Sequence, residues 1–113
     1  MDQNTVLVFT RNGLGHGPDD LQQKLVGTFL GLLDQSNVPP AKILLYTDGV
    51  KLACEGSPVL AQLKALEARG VEIVLCQTCL NYFNLSDKVS VGIVGGMTDI
   101  IEAMSKAAKV ISL

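Results

Sequence analysis

Ser57-Pro58-Val59-Leu60-Ala61-Gln62-Leu63-Lys64-Ala65-Leu66-Glu67-Ala68-Arg69-Gly70-Val71-Glu72-Ile73-Val74-Leu75-Cys76 contains a complete helix-to-strand unit. Serine followed by proline marks a helix start, because serine caps free N–H groups and proline tolerates the first helical position. Val59, Leu60, Leu63 and Leu66 then recur at helical spacing, and Gly70 supplies a helix stop. Val71 to Leu75 is a short, mostly apolar run ending at Cys76, as expected for a strand covered on both faces.

The same alternation extends in both directions. Upstream, Thr5-Val6-Leu7-Val8-Phe9-Thr10 and Ala41 to Tyr46 read as buried strands. Between them lies a helix opened by Asp19 and Asp20, with carboxylates suited to the first turn. Its apolar positions Leu21, Leu25, Val26, Phe29, Leu30, Leu32 and Leu33 wrap more than one stripe, so it should pack on the sheet and on something else. Thr47-Asp48-Gly49 is turn chemistry, and residues 50–56 read as a loop or short extended piece. Downstream, Thr78 to Phe83 reads as a short helix, Val89 to Ile93 as a fourth strand and Gly95-Gly96 as a tight turn. Asp99 with Glu102 fits a capping box for a last helix with Ile100, Ile101 and Met104 inward, and Val110 to Leu113 reads as a fifth strand. Strands alternating with helices imply right-handed crossovers and a parallel sheet with helices on both faces. The expected class is α/β, with residues 1–113 forming one domain.

Composition narrows the function. Apolar residues make up 48% of the chain and charged residues 18%, which predicts a folded core and some apolar surface buried by self-association. A net charge of −2, scattered basic residues and 4% aromatics give nucleic acid neither an electrostatic footprint nor a stacking platform. No run reaches the roughly 18 apolar residues of a membrane span. Met1-Asp2-Gln3-Asn4 lacks the basic start of a secretory signal, so a cytoplasmic location with three reduced cysteines is expected.

Ligands of open parallel sheets bind beyond the carboxyl ends of the strands. That rim collects Arg11 to Gly17, Thr47-Asp48-Gly49, Cys76 to Cys79 and Gly95 to Thr98. Cys76-Gln77-Thr78-Cys79 is its sharpest feature. A cysteine closing a strand where a helix begins should meet unpaired N–H groups that favour thiolate, and Cys79 lies one turn on. The pair therefore reads as an exposed, ionised Cys76 with a second thiol in reach. Two small buried hydrophobes would be the inert alternative.

Three chemistries could use the pair. One is a sulfur carrier, with persulfide on Cys76 released to Cys79 or a partner thiol. Another is thioredoxin-like exchange, although that fold mixes antiparallel strands and places the motif after its first core strand. The last is metal, but one Cys-x-x-Cys supplies only two of the four ligands of a closed zinc site. Cys54 and His16 match no zinc half-site spacing, so no metal and no cofactor are expected. Cys54 is a packed residue or an accessory thiol, Arg11 a rim cation, and His16 a solvated loop residue or a base near Cys76. Glycines at 13, 15 and 17 match neither the dinucleotide fingerprint nor a P-loop. A non-catalytic oligomeric module holding a small anion or nucleotide on that rim, or a purely assembly role, would use the same residues.

Over Gly49 to Lys88, and more loosely over the whole chain, the sequence resembles the DsrE/DsrF-like sulfur-relay family. It is most similar to the DsrE-like domain of YedF-type proteins. Three stretches carry the resemblance: Gly49-Val50-Lys51-Leu52-Ala53-Cys54-Glu55-Gly56-Ser57, Leu63 to Gly70, and Gly70-Val71-Glu72-Ile73-Val74-Leu75-Cys76-Gln77-Thr78-Cys79-Leu80. It implies a three-layer α/β/α domain with a five-stranded parallel sheet in the order 4-3-2-1-5, and a homotrimer or homohexamer. It also implies a sulfurtransferase or sulfur carrier with the persulfide on Cys76, a donor protein that could be TusA-like, an acceptor, and a link to selenium metabolism. Cys54 and Cys79 resemble extra cysteines of the YedF-type branch. YedF-type proteins usually carry an N-terminal TusA-like domain with a Cys-Pro-x-Pro motif, which this sequence lacks; a detached domain or a separate donor is then expected.

Overall fold

The computed structural model describes residues 1–113. Its strands are β1 (Thr5–Phe9), β2 (Lys42–Leu45), β3 (Glu72–Cys76), β4 (Ile93–Gly95) and β5 (Lys109–Ser112). They form one sheet in the order β4-β3-β2-β1-β5, and every pairing is parallel. The helices are α1 (Asp19–Asp34), α2 (Leu60–Ala68), α3 (Gln77–Tyr82) and α4 (Met97–Lys106), with a 3₁₀ segment at Thr47–Ala53.

Topology fixes the layers. From β1 through β3 the chain steps in one direction across the sheet, so right-handed crossovers put α1 and α2 on one face, where they pack together. From β4 the chain reverses to β5, which carries α4 to the other face, against β3 and β4. The α/β/α architecture and the strand order expected from the family resemblance are both present. No helix is long and apolar enough to cross a membrane.

Burial explains why these segments take these forms. All five residues of β1 are buried, as are Ile43 to Leu45 and Ile73 to Cys76, so the interior strands are apolar on both faces. Val26, Leu30 and Leu33 of α1 face inward, and Phe29 meets Phe9 edge-on with ring centroids 6.2 Å apart. Leu21, Leu25 and Leu32 stay exposed on the outer stripe. At the end of α2, Gly70 takes a φ of 94° and Val71 N–H bonds back to the Leu66 carbonyl at 3.1 Å, which turns the chain into β3.

Several boundaries differ from expectation. Residues 47–53 form the 3₁₀ segment rather than a loop. Helix α2 begins at Leu60, later than Ser57-Pro58 implied, although Ser57 Oγ still accepts a hydrogen bond from Val59 N–H at 3.2 Å. β4 begins at Ile93; Val89, expected at the head of that strand, instead bridges antiparallel to Cys54. Asp99 sits inside the first turn of α4, accepting from Gly96 N–H at 2.8 Å, while Glu102 pairs with Lys106 at 2.6 Å. Ile101, expected inward, is exposed, and Ala103 takes the buried position.

Candidate functional site

Cys76 is the last residue of β3 and the N-cap of α3. It was expected to be exposed at the rim, and the structure corrects this: only 1% of its surface is open. The cause is its strand. β3 lies between β2 and β4, and Cys76 pairs with Gly95, so neighbouring backbone flanks even its last residue. The expected cluster of helix N–H groups around the sulfur is also absent, because Cys76 makes no side-chain cap hydrogen bond.

Cys79, three residues on, is partly buried and follows a different logic. Its Sγ accepts a hydrogen bond from Thr47 N–H at 3.0 Å, across 32 residues of sequence. The amide that reaches a thiol of this pair thus comes from the loop after β2, not from α3. Burial pushes the Cys79 thiol up, and so do the neighbouring Cys76 side chain and the charge of Asp48; the Thr47 amide pulls it down. The net direction is upward, so Cys79 rests as the thiol, with the Thr47 amide donating to its sulfur.

Thr47 has a φ of 53°, a left-handed conformation that a β-branched residue adopts at a cost of about 1–3 kcal/mol. The loop around it is tied down on several sides. Tyr46 N–H donates to the Phe9 carbonyl at 3.2 Å, and Gly49 N–H donates to the Tyr46 carbonyl at 3.0 Å. Asp48 pairs with Lys51 at 2.8 Å, and the Lys51 ammonium lies 4.3 Å from the centre of the Phe83 ring, just beyond α3. Loop and thiol-bearing helix are therefore clamped together. Sequence reading missed Thr47: Thr47-Asp48-Gly49 looked like ordinary turn chemistry.

The remaining candidates stand apart from the pair. Arg11 Nη1 lies 2.7 Å from His16 Nδ1, so the guanidinium donates and that ring nitrogen accepts. Both line a polar hollow of about 390 Å³ that includes Asp48 and Lys51 but neither Cys76 nor Cys79. Cys54 is buried, donates from Sγ to the Val50 carbonyl at 3.2 Å, and has its thiol pushed up by burial. That is the packed, protonated reading of this residue. All three cysteines are free, and no three His, Cys, Asp or Glu side chains are grouped where they could hold a metal ion. The largest concavity, about 490 Å³, lies beside α4 and reaches Asn4, Lys42 and Glu72 at the amino ends of the strands. It contains no thiol.

The sequence profile of the DsrE/DsrF-like family matches residues 16–113. No curated protein sequence matches the chain. Among solved structures, the ychN protein from E. coli is 23% identical over 99% of this chain and 100% of its own, with a TM-score of 0.71. MTH1491 from Methanobacterium thermoautotrophicum, titled a protein of unknown function, is 16% identical over 99% and 100%, also with a TM-score of 0.71. BT1422 from Bacteroides thetaiotaomicron, titled likewise, is 16% identical over 97% and 95%, with a TM-score of 0.68. At these identities the likeness establishes the fold.

Proposed function

Because the chain belongs to the DsrE/DsrF-like family, a family associated with sulfur relay, we propose that it handles sulfane sulfur, carrying it as a persulfide on Cys76 and passing it to a partner thiol. One observation supports this reading above the others: Cys76 and Cys79 are free, three residues apart, and placed where β3 gives way to α3. The chain acts as a carrier or sulfurtransferase between a donor protein, TusA-like by the resemblance to YedF-type proteins, and an acceptor. That same resemblance extends the cargo to selenium. Residues 1–113 serve as one DsrE-like domain, and reduced thiols suit a cytoplasm.

Incubation with a sulfane donor, followed by peptide mass mapping, tests the reading. The expected result is a gain of one sulfur atom, about 32 Da, on Cys76 of the wild type and, at long times, of Cys79→Ser. Wild-type protein that takes up no sulfur from several donors would end it. The thiol contact also supports thiol–disulfide exchange, which the same spectra separate: a disulfide loses two hydrogens instead of gaining sulfur.

Self-association belongs to the same proposal. Leu21, Leu25 and Leu32 form one outward stripe of α1, and Leu32 is 63% exposed, a poor arrangement for a surface that stays in water. Sedimentation of the wild type should show a trimer or hexamer of the 12.0 kDa chain, and Leu25→Glu with Leu32→Glu should shift it towards monomer. A clean wild-type monomer at micromolar concentration would remove the assembly from the proposal.

A further inference from the structure

The two thiols of the pair differ in what can reach them. Cys76 has 1% of its surface open, whereas Cys79, on α3, is only partly buried. Sulfur transfer needs the attacking thiolate to approach the sulfane atom along the S–S axis, and a protein-bound donor brings bulk behind that atom. A sulfur sealed between β2, β4 and α3 can make that approach only in rare local openings, and therefore slowly.

We propose that Cys79 is the entry thiol and Cys76 the sheltered store, with sulfane sulfur taken first by Cys79 and then passed inward. The proposal rests on the persulfide reading above and assigns an order to its two cysteines. In the first step Cys79 gives its proton to solvent, and the resulting thiolate attacks the outer sulfur of a donor persulfide, R–S–SH. The new bond joins Cys79 Sγ to that sulfur, the donor S–S bond breaks, and R–S⁻ leaves and is protonated by solvent. In the second step Cys76 attacks the outer sulfur now on Cys79. The Cys79–sulfur bond breaks, and the Cys76 proton passes to the departing Cys79 thiolate, three residues away. The products are Cys76 persulfide and Cys79 thiol, with no oxidant or reductant consumed. Thr47 N–H, 3.0 Å from Cys79 Sγ, faces the sulfur that is an anion as it attacks and again as it leaves. Once on Cys76, the sulfane atom is shielded from stray thiols by the same burial that kept the donor out.

Time-resolved peptide mapping with glutathione persulfide as the probe tests the order. In the wild type, label is expected on Cys79 before Cys76; in Cys76→Ser it should stay on Cys79. In Cys79→Ser, loading of Cys76 should slow by about tenfold or more, because only direct access remains. Serine can still accept the Thr47 hydrogen bond. Wild type whose Cys79 has been capped by brief alkylation should show the same slowing without any substitution. Equal loading rates in wild type and Cys79→Ser, or alkylation that reaches Cys76 first, overturns the order while leaving a Cys76 persulfide intact. A Cys76–Cys79 disulfide formed with release of hydrosulfide overturns the inward step. No label on either cysteine of the wild type defeats the persulfide reading, and the order with it.

Discussion

Gly49→Ala is expected to lower stability by about 4 kcal/mol or more, enough to threaten folding at moderate temperature. A methyl group at this position would stand 2.0 Å from the Phe9 carbonyl oxygen and 2.7 Å from its carbon. Backbone cannot yield as a flexible side chain does, so the 3₁₀ segment and the end of β1 must separate. The Phe9 carbonyl also accepts the Tyr46 N–H, and the displaced segment includes Thr47, whose amide holds Cys79. The substitution therefore strikes the fold and the thiol pair together. Chemical denaturation measures the first effect. A thermal midpoint within about 2 °C of wild type would contradict this reading of Gly49.

Gly49 also shows why the sequence revealed some features and hid others. The interior strands were legible because their apolar runs are continuous: Thr5 to Phe9, Ile43 to Leu45 and Ile73 to Leu75 each lie within a residue or two of the expected bounds. The nearness of Cys79 to Cys76 was legible too, since a residue three positions past a helix cap lies about one turn away. The role of Gly49 was not. Turn chemistry announces a glycine, but its tight packing depends on a carbonyl forty residues earlier. With Gly49 committed to that approach, the left-handed residue of the turn is Thr47, and its amide finds a thiol 32 residues away. Local pattern carries no trace of such a contact.

The exposure of Cys76 failed for a related reason. The end of a strand is open or closed according to its neighbours, and the neighbour here is Gly95 of β4. That strand was expected at Val89 to Ile93, where it would have ended before reaching the thiol. Gly92, with a φ of 87°, breaks the run and restarts it as Ile93–Gly95, and this carries β4 alongside Cys76. Burial of the thiol is thus set by a glycine in another strand's approach. A sequence-based placement of β4 that is four residues early turns a buried cysteine into an exposed one.

Gly92→Ala tests that dependence. Alanine there must adopt a left-handed conformation, and its Cβ would lie 2.7 Å from Leu75 Cδ1 and 2.8 Å from the Ile73 carbonyl oxygen. Strain and crowding together should cost about 3 kcal/mol, against about 1 kcal/mol for Gly56→Ala, which has a φ of 92° but open space around it. Crowding against β3 pushes β4 outward, taking Gly95 away from Cys76. Iodoacetamide should then label Cys76 in folded Gly92→Ala, while wild type and Gly56→Ala are labelled at Cys79 first. Pairing with β4 is what separates a store from an entry point on this rim. If the substituted protein is destabilised yet its label still stops at Cys79, something other than β4 seals the inner thiol.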